Sequence, residues 1–396
     1  MPAYFENSPL GLYVHVPFCA SACDYCAFYH EPPQRARVEA WLNGIARESE
    51  LVPLPRRAET FFLGGGTPGI LSANDFEKLG EILLRANGGI APSEWSVELA
   101  PSAVKPDKLA VLRALGVNRI SLGVQSLDAE TLEILGRRHA PKKIFEAFDA
   151  IRAAGFENVN LDLIFAVPGE KKSRWDADLR TALALAPEHI STYCLMLEPG
   201  APLLARLEKS GNFDAAEKSP EREAELYLHT WSVLESAGYR QYEVANFAKT
   251  NSAGAPNVCI HNLNTWKMHE WLGWGPAAAS QCGGQRFANV SNLELWLDGL
   301  TSGAPARVDC VELDGEMLFA DSLIFGLRLN AGVDVPALAK RFLGGAEKIP
   351  SALFELEKNL AQAGYLENGT PAGTLALNAR GRLVADAVAE AVLDAL

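Results

Sequence analysis

Three cysteines, Cys19, Cys23 and Cys26, spaced C-x3-C-x2-C, constrain this chain more than any other feature. They follow an apolar run, Leu12 to Val16, that reads as a strand stopped by Pro17. A loop that tight can present three thiolates to one inorganic cluster. Iron–sulfur clusters take thiolate ligands, usually four, so three with no obvious fourth leave one iron open to another ligand. Two alternatives stand beside this one. Positions 19, 23 and 26 are also i, i+4 and i+7, one stripe of a helix, on which buried cysteines pack as small hydrophobes. A zinc site needs only one more ligand. The chain has seven cysteines, an odd number with three in one loop. That fits a reducing compartment and a metal site better than a disulfide framework.

The remainder reads as repeated strand–helix units. Strands are expected at 12–16, 60–63, 95–99, 119–124, 158–164 and 190–197, and helices at 34–51, 74–86, 106–115, 142–154, 173–185 and 220–237. Ser72 or Asn74 supplies an N-cap, and Gly116, Gly155 and Gly238 supply stops. Six such units imply parallel strands joined by right-handed crossovers, too few for an eight-fold barrel. The expected fold is α/β: an open, partial (β/α)6 barrel over residues 1–240. Residues 241–304 hold an extended piece, a small polar loop and a tryptophan- and glycine-rich stretch that covers the barrel. Residues 305–396 read as a mostly helical, winged-helix-like domain, with 364–366 and 375–377 as the two-stranded wing.

At 396 residues the chain is long enough for a large domain and a smaller one. A formal charge of −13 argues against non-specific nucleic-acid binding. No apolar run reaches the ~20 residues of a membrane span. Residues 1–6 lack the basic start and apolar core of a secretory signal, so the chain is read as cytoplasmic.

Further polar residues cluster at expected strand ends, where parallel α/β barrels place their sites. Gly64-Gly65-Gly66-Thr67-Pro68 follows the second strand, and consecutive glycines let backbone approach a ligand closely. Such a turn can equally be a tight connection. Glu98 and Gln125 close the third and fourth strands, Arg137 follows in Gly136-Arg137-Arg138-His139, and Asp162 lies within the fifth. A carboxylate in an apolar strand needs a partner. Internal pairing, for example of Arg137 with Glu98 or Asp162, is the alternative to ligand binding.

These stretches, with Tyr13 to Cys19, Leu122 to Ser126, Leu135 to His139 and Asn160 to Leu163, together resemble the oxygen-independent coproporphyrinogen III oxidase group of the radical S-adenosylmethionine (SAM) superfamily. The resemblance covers roughly residues 10–330. It implies a [4Fe-4S] cluster on Cys19, Cys23 and Cys26, and SAM contacts from Tyr13, Gly65, Gly66, Thr67, Glu98, Gln125, Arg137 and Asp162, with Tyr25 near the adenine. The dehydrogenase branch of that group carries an extra cysteine two residues after the triplet. Here that residue is Phe28, as in the heme-chaperone branch. That branch also has an H-N-x-x-Y-W motif implicated in heme binding, matched by His261-Asn262-Leu263-Asn264-Thr265-Trp266. Thr265 stands where the branch has tyrosine, and Ala279 where it has histidine.

The resemblance therefore implies a heme chaperone. Its partners are heme or another tetrapyrrole, an electron donor and a heme-recipient protein, with His261 as a candidate axial ligand. The bland reading of His261 and Asn262 is that they staple a loop. Likewise Trp266, Trp271 and Trp274 can line a flat pocket or simply pack, and Cys194 reads as core. The competing function is a radical SAM enzyme that decarboxylates coproporphyrinogen propionates, or a diverged relative in porphyrin metabolism.

Overall fold

The computed structural model describes residues 8–198, 201–210 and 219–396. The stretch examined above for a secretory signal lies outside them. The first half runs β1 (Leu10–Val16), α1 (Arg35–Leu51), β2 (Thr60–Gly65), α2 (Ala73–Ala86), β3 (Glu94–Leu99), α3 (Pro106–Leu115), β4 (Arg119–Gln125), α4 (Ala129–Ile134), α5 (Pro141–Ala153), β5 (Asn158–Phe165), α6 (Lys172–Ala184), β6 (His189–Cys194), α7 (Pro202–Ser210) and α8 (Pro220–Ser236). Strands β1 to β6 pair in sequence order, all parallel. This is the expected six-unit partial barrel. Ser72 caps α2 in a reciprocal capping box with Asp75, and Gly116 ends α3 in the left-handed conformation.

The strands alternate strictly. Leu12, Val14, Phe61, Leu63, Trp95, Val97, Ile120, Leu122, Val159, Leu161 and Ile190 are buried in the main hydrophobic core, on the face that meets the helices. The residues between them, Phe62 excepted, are polar or small: Gly11, Tyr13 and His15; Thr60 and Gly64; Glu94, Ser96 and Glu98; Arg119, Ser121 and Gly123; Asn160 and Asp162; His189 and Ser191. Because strand side chains alternate with period two, the same spacing that builds the apolar shell lines the lumen with polar groups. Buried polar groups need partners, and most of these find them in one another.

Beyond α8 the structure departs from the expectation. Residues 241–304 do more than cover the barrel: they extend its sheet at both edges. β7 (Arg240–Gln241) and β8 (Asn246–Ala248) add antiparallel strands beside β6. After α9 (Ile260–Trp266), β9 (Glu270–Trp274) pairs parallel with β1, and β10 (Ala279–Cys282) and β11 (Gln285–Asn289) form a hairpin. Gly283 and Gly284 turn that hairpin with φ of 66° and 81°, as a two-residue turn with left-handed centres requires. α10 (Leu293–Ser302) leads to β12 (Arg307–Glu312), an edge strand the sequence reading did not mark. The result is one open sheet of twelve strands.

The C-terminal part holds α11 (Gly315–Gly326), β13 (Val333–Asp334), α12 (Val335–Phe342), α13 (Ser351–Gln362), β14 (Thr374–Leu375), α14 (Ala379–Arg382) and α15 (Ala385–Asp394). It has its own apolar cluster, including Leu318, Leu323, Phe342, Leu377 and Val392. The two expected wing segments do meet: Leu366 bridges Leu377, and the Glu367 N–H donates to the Ala376 carbonyl at 2.9 Å. β13 and β14 form a second small pair. Among the described residues no helix is long and apolar enough to cross a membrane.

Candidate functional site

The cysteine triplet lies in a loop, not on a helix, between β1 and α1. This removes the helix-stripe alternative. The loop has a closed neck. Phe18 bridges Glu31, the Glu31 N–H donates to the Pro17 carbonyl at 2.6 Å, and the Cys19 N–H donates to the Glu31 carbonyl at 3.0 Å. Cys19, Cys23 and Cys26 are all half-buried and close enough to feel one another's charge: burial pushes the Cys19 and Cys26 thiols up, and the neighbouring cysteines add to it. Among the described residues no three His, Cys, Asp or Glu side chains converge as single-ion ligands. Three half-buried thiols in a pinned loop supply three of the four ligands an iron–sulfur cluster usually takes.

The second strand's turn abuts this loop. The Cys19 Sγ lies 3.4 Å from the Thr67 hydroxyl. The Gly66 N–H donates to the Val16 carbonyl at 2.9 Å, the Thr67 N–H to the Phe18 carbonyl at 2.8 Å, and the Gly65 N–H to the Glu98 carboxyl. These donors tie the turn to β1 and to the cysteine loop, and the glycines supply close approach. Gly65 has φ of +100°, and a Cβ there would lie 2.6 Å from the His15 ring; one on Gly66 would lie 2.8 Å from the Phe18 carbonyl oxygen.

Across the lumen, Tyr13 donates to or accepts from His15 Nδ1 at 3.2 Å and stacks on Phe62. Burial, then the nearby Glu98, drives its phenol upward. Burial, reinforced by Asp162, holds the Glu98 carboxyl up at about 8. Asp162 is raised by burial too, against the pull of its partners: Ser121 Oγ donates at 2.9 Å and Asn160 Nδ2 at 2.8 Å. Gln125 closes β4 with φ of 68°, at a bulge where the β4–β5 register slips. Its amide nitrogen and an Arg137 nitrogen both approach the open side of Gly123. Arg137 Nη2 donates to the Tyr25 hydroxyl at 3.1 Å. Arg137 pairs with neither carboxylate, and its Nε is buried without a hydrogen-bond partner. The lumen thus holds a carboxyl whose main donor is backbone and a guanidinium with an unused donor. An amino acid moiety with a ribose could occupy both.

His261 does not join this group. It opens α9 at the other end of the barrel, beside the first residues of β1 and β2. Its Nδ1 meets the Thr60 hydroxyl at 2.8 Å, its N–H donates to Glu94 at 2.9 Å, and its ring tilts against Phe62. A Cβ on Gly11 would lie 2.9 Å from the ring. Burial lowers the imidazole to about 4, so it is a neutral packed group. In this geometry the ring staples α9 to β2 through the Thr60 hydroxyl. Trp274 is fully buried with its N–H donating to the Val52 carbonyl, while Trp266 lies against Phe325 of α11 under the Arg328 guanidinium. Thr265 bonds back to the His261 carbonyl, and Ala279 is an exposed strand residue. Cys194 packs against the core, and Phe28 is 70% exposed on the cysteine loop.

The sequence reading missed the support beneath the site. His15, Ser121, Asn160, His189 and Ser191 were all visible as polar residues at every second position of expected strands. It also missed α4 and α7, which bracket the cysteine loop.

The Radical SAM superfamily pattern matches residues 13–182, the span of β1 to α6. The chain is 34% identical to the heme chaperone HemW of Bacillus subtilis (strain 168), over 97% of this chain and 99% of that protein. The chain belongs to the HemW family. It is also 32% identical to the heme chaperone HemW of Mycobacterium tuberculosis (strain H37Rv), over 99% of this chain and 96% of that one. The fold of this HemW-family chain matches that of the Escherichia coli coproporphyrinogen III oxidase HemN, described as a radical SAM enzyme. The TM-score is 0.81 at 22% identity, over 98% of this chain and 91% of that one. Membership of the radical SAM superfamily implies a [4Fe-4S] cluster and SAM.

Proposed function

We propose that this chain is a heme chaperone that binds heme and passes it to a recipient protein, with a cluster and SAM seated at the mouth of the barrel. The observation that carries the reading is the near full-length match to heme chaperones of the HemW family. Phe28, in place of a further cysteine, supports it over the dehydrogenase. Cys19, Cys23 and Cys26 would hold the [4Fe-4S] cluster, and Tyr13, Gly65, Gly66, Thr67, Glu98, Gln125, Arg137 and Asp162 would receive SAM, with Tyr25 beside it. When bound by these cysteines the cluster would supply an electron to SAM, while the protein's own residues bind, orient and shield. Glu98 protonated near neutral pH can donate as well as accept, and the unused Arg137 Nε can donate to a carboxylate or ribose oxygen. We place the chain in the cytoplasm. We read residues 1–240, 241–304 and 305–396 as barrel, sheet-extending segment and helical domain; the separate apolar clusters support the last boundary, while the main core runs through both earlier segments.

The test separates transfer from catalysis. Reconstituted protein loaded with hemin is expected to give up heme to an apo-hemoprotein, followed by the acceptor's Soret band. With SAM, a reductant and coproporphyrinogen III it is expected to release no carbon dioxide. Carbon dioxide release with no heme transfer would reverse the assignment.

A further inference from the structure

We propose that Asp24 and Arg206 are positioning residues for the cysteine loop, and that α7 is a latch holding that loop in its ligand-presenting shape. The proposal rests on reading Cys19, Cys23 and Cys26 as cluster ligands. Asp24 sits between the second and third cysteines and is held on every side. Its N–H donates to the Leu135 carbonyl at 3.2 Å, and its carbonyl accepts from the Leu203 N–H at 2.7 Å. Its carboxylate pairs with Arg206, which also donates to the Ile134 carbonyl. Gly136 makes room for it: there φ is +71°, and a Cβ would lie 2.6 Å from the Asp24 Cγ. The next residue, Tyr25, takes the hydrogen bond from Arg137. One dipeptide of the loop is thus fastened both to the turn after α4 and to α7.

Packing makes α7 a separable element. Leu203 is fully buried, and with Leu207, one turn on, it joins Tyr25, Leu135, Ile164 and Leu195 in a small apolar cluster distinct from the main core. Local units with few buried contacts open below the free energy of global unfolding. An open latch frees the cysteines to accept or lose iron. A closed one fixes Cys23 and Cys26 on either side of an immobile Asp24–Tyr25 pair.

Arg206 is half exposed, at 49% of its side chain, so removing it leaves no cavity, and exposed pairs make modest contributions. In the full-length, metal-free chain, R206A is expected to speed hydrogen exchange of amides 19–28 about fivefold and to leave β3 unchanged. L203A, which removes packing in place of charge, is expected to speed the same amides by more. In reconstituted protein both should hasten iron loss to a chelator. Unchanged exchange in both variants overturns the latch. A response to L203A alone overturns the role given to the ion pair. Failure of the parent chain to take up iron and sulfide would refute the cluster assignment, while exchange in the metal-free chain still decides the latch.

Discussion

Glu98 shows how the lumen's chemistry follows from burial. Its carboxyl faces Asp162 and takes the Gly65 N–H, and burial holds it up at about 8. An acid raised this way keeps its proton in the native state while the unfolded chain has lost it, so native stability falls as pH rises toward 8. The buried histidines His15 and His261, held down at about 4, act in the opposite sense, but only below their ordinary value near 6.5. Between pH 6.5 and 8 the carboxyls remain, Glu98 with Glu170 at about 8 and Glu48 at about 7. In cofactor-free protein, Glu98→Gln should flatten the fall in stability over that window by about 1 to 2 kcal/mol. Urea midpoints at the two pH values measure it. An unchanged slope would show that Glu98 is already ionised at pH 6.5.

At the scale of elements, α9 bears the heme-chaperone branch's motif and yet seals the barrel end opposite the cysteine loop. His261→Ala removes the Thr60 bond and opens a cavity against Gly11 and Phe62, a loss of about 2 kcal/mol. Iron and sulfide uptake should be unaffected, because the cysteines sit at the far end. A drop in cluster content out of proportion to the drop in stability would mean the two ends are coupled. The placement also shows what the sequence could reveal. The six strands and their helices were legible because apolar residues recur at every second position, with glycine or a capping residue at the helix ends. The cysteine loop was legible from its spacing together with the strand and Pro17 before it, although spacing alone also fits a helix stripe. β9 was not, because Glu270-Trp271-Leu272-Gly273-Trp274 is short and its pairing with β1 spans some 260 residues; yet the Gly283-Gly284 turn was a readable hairpin signal. α7 has nothing to mark it until Leu203 meets the cysteine loop.

At the scale of the whole molecule, one twelve-stranded sheet organises the first three quarters of the chain. Its parallel centre presents the thiols and the polar lumen, and antiparallel strands extend it at both edges. Trp266 and Arg328 then link α9 to the C-terminal helices. The far flank ends safely: edge strand β12 carries Asp309 at φ of 52° and charges at both ends, which discourages pairing with another sheet. The proposed function requires this architecture to hold heme. Its most direct test is a hemin titration of the anaerobically reconstituted chain, followed at the Soret band. Saturation near one heme per chain is the expected result. A signal that rises without saturating, as for hemin on an unrelated protein, would contradict it.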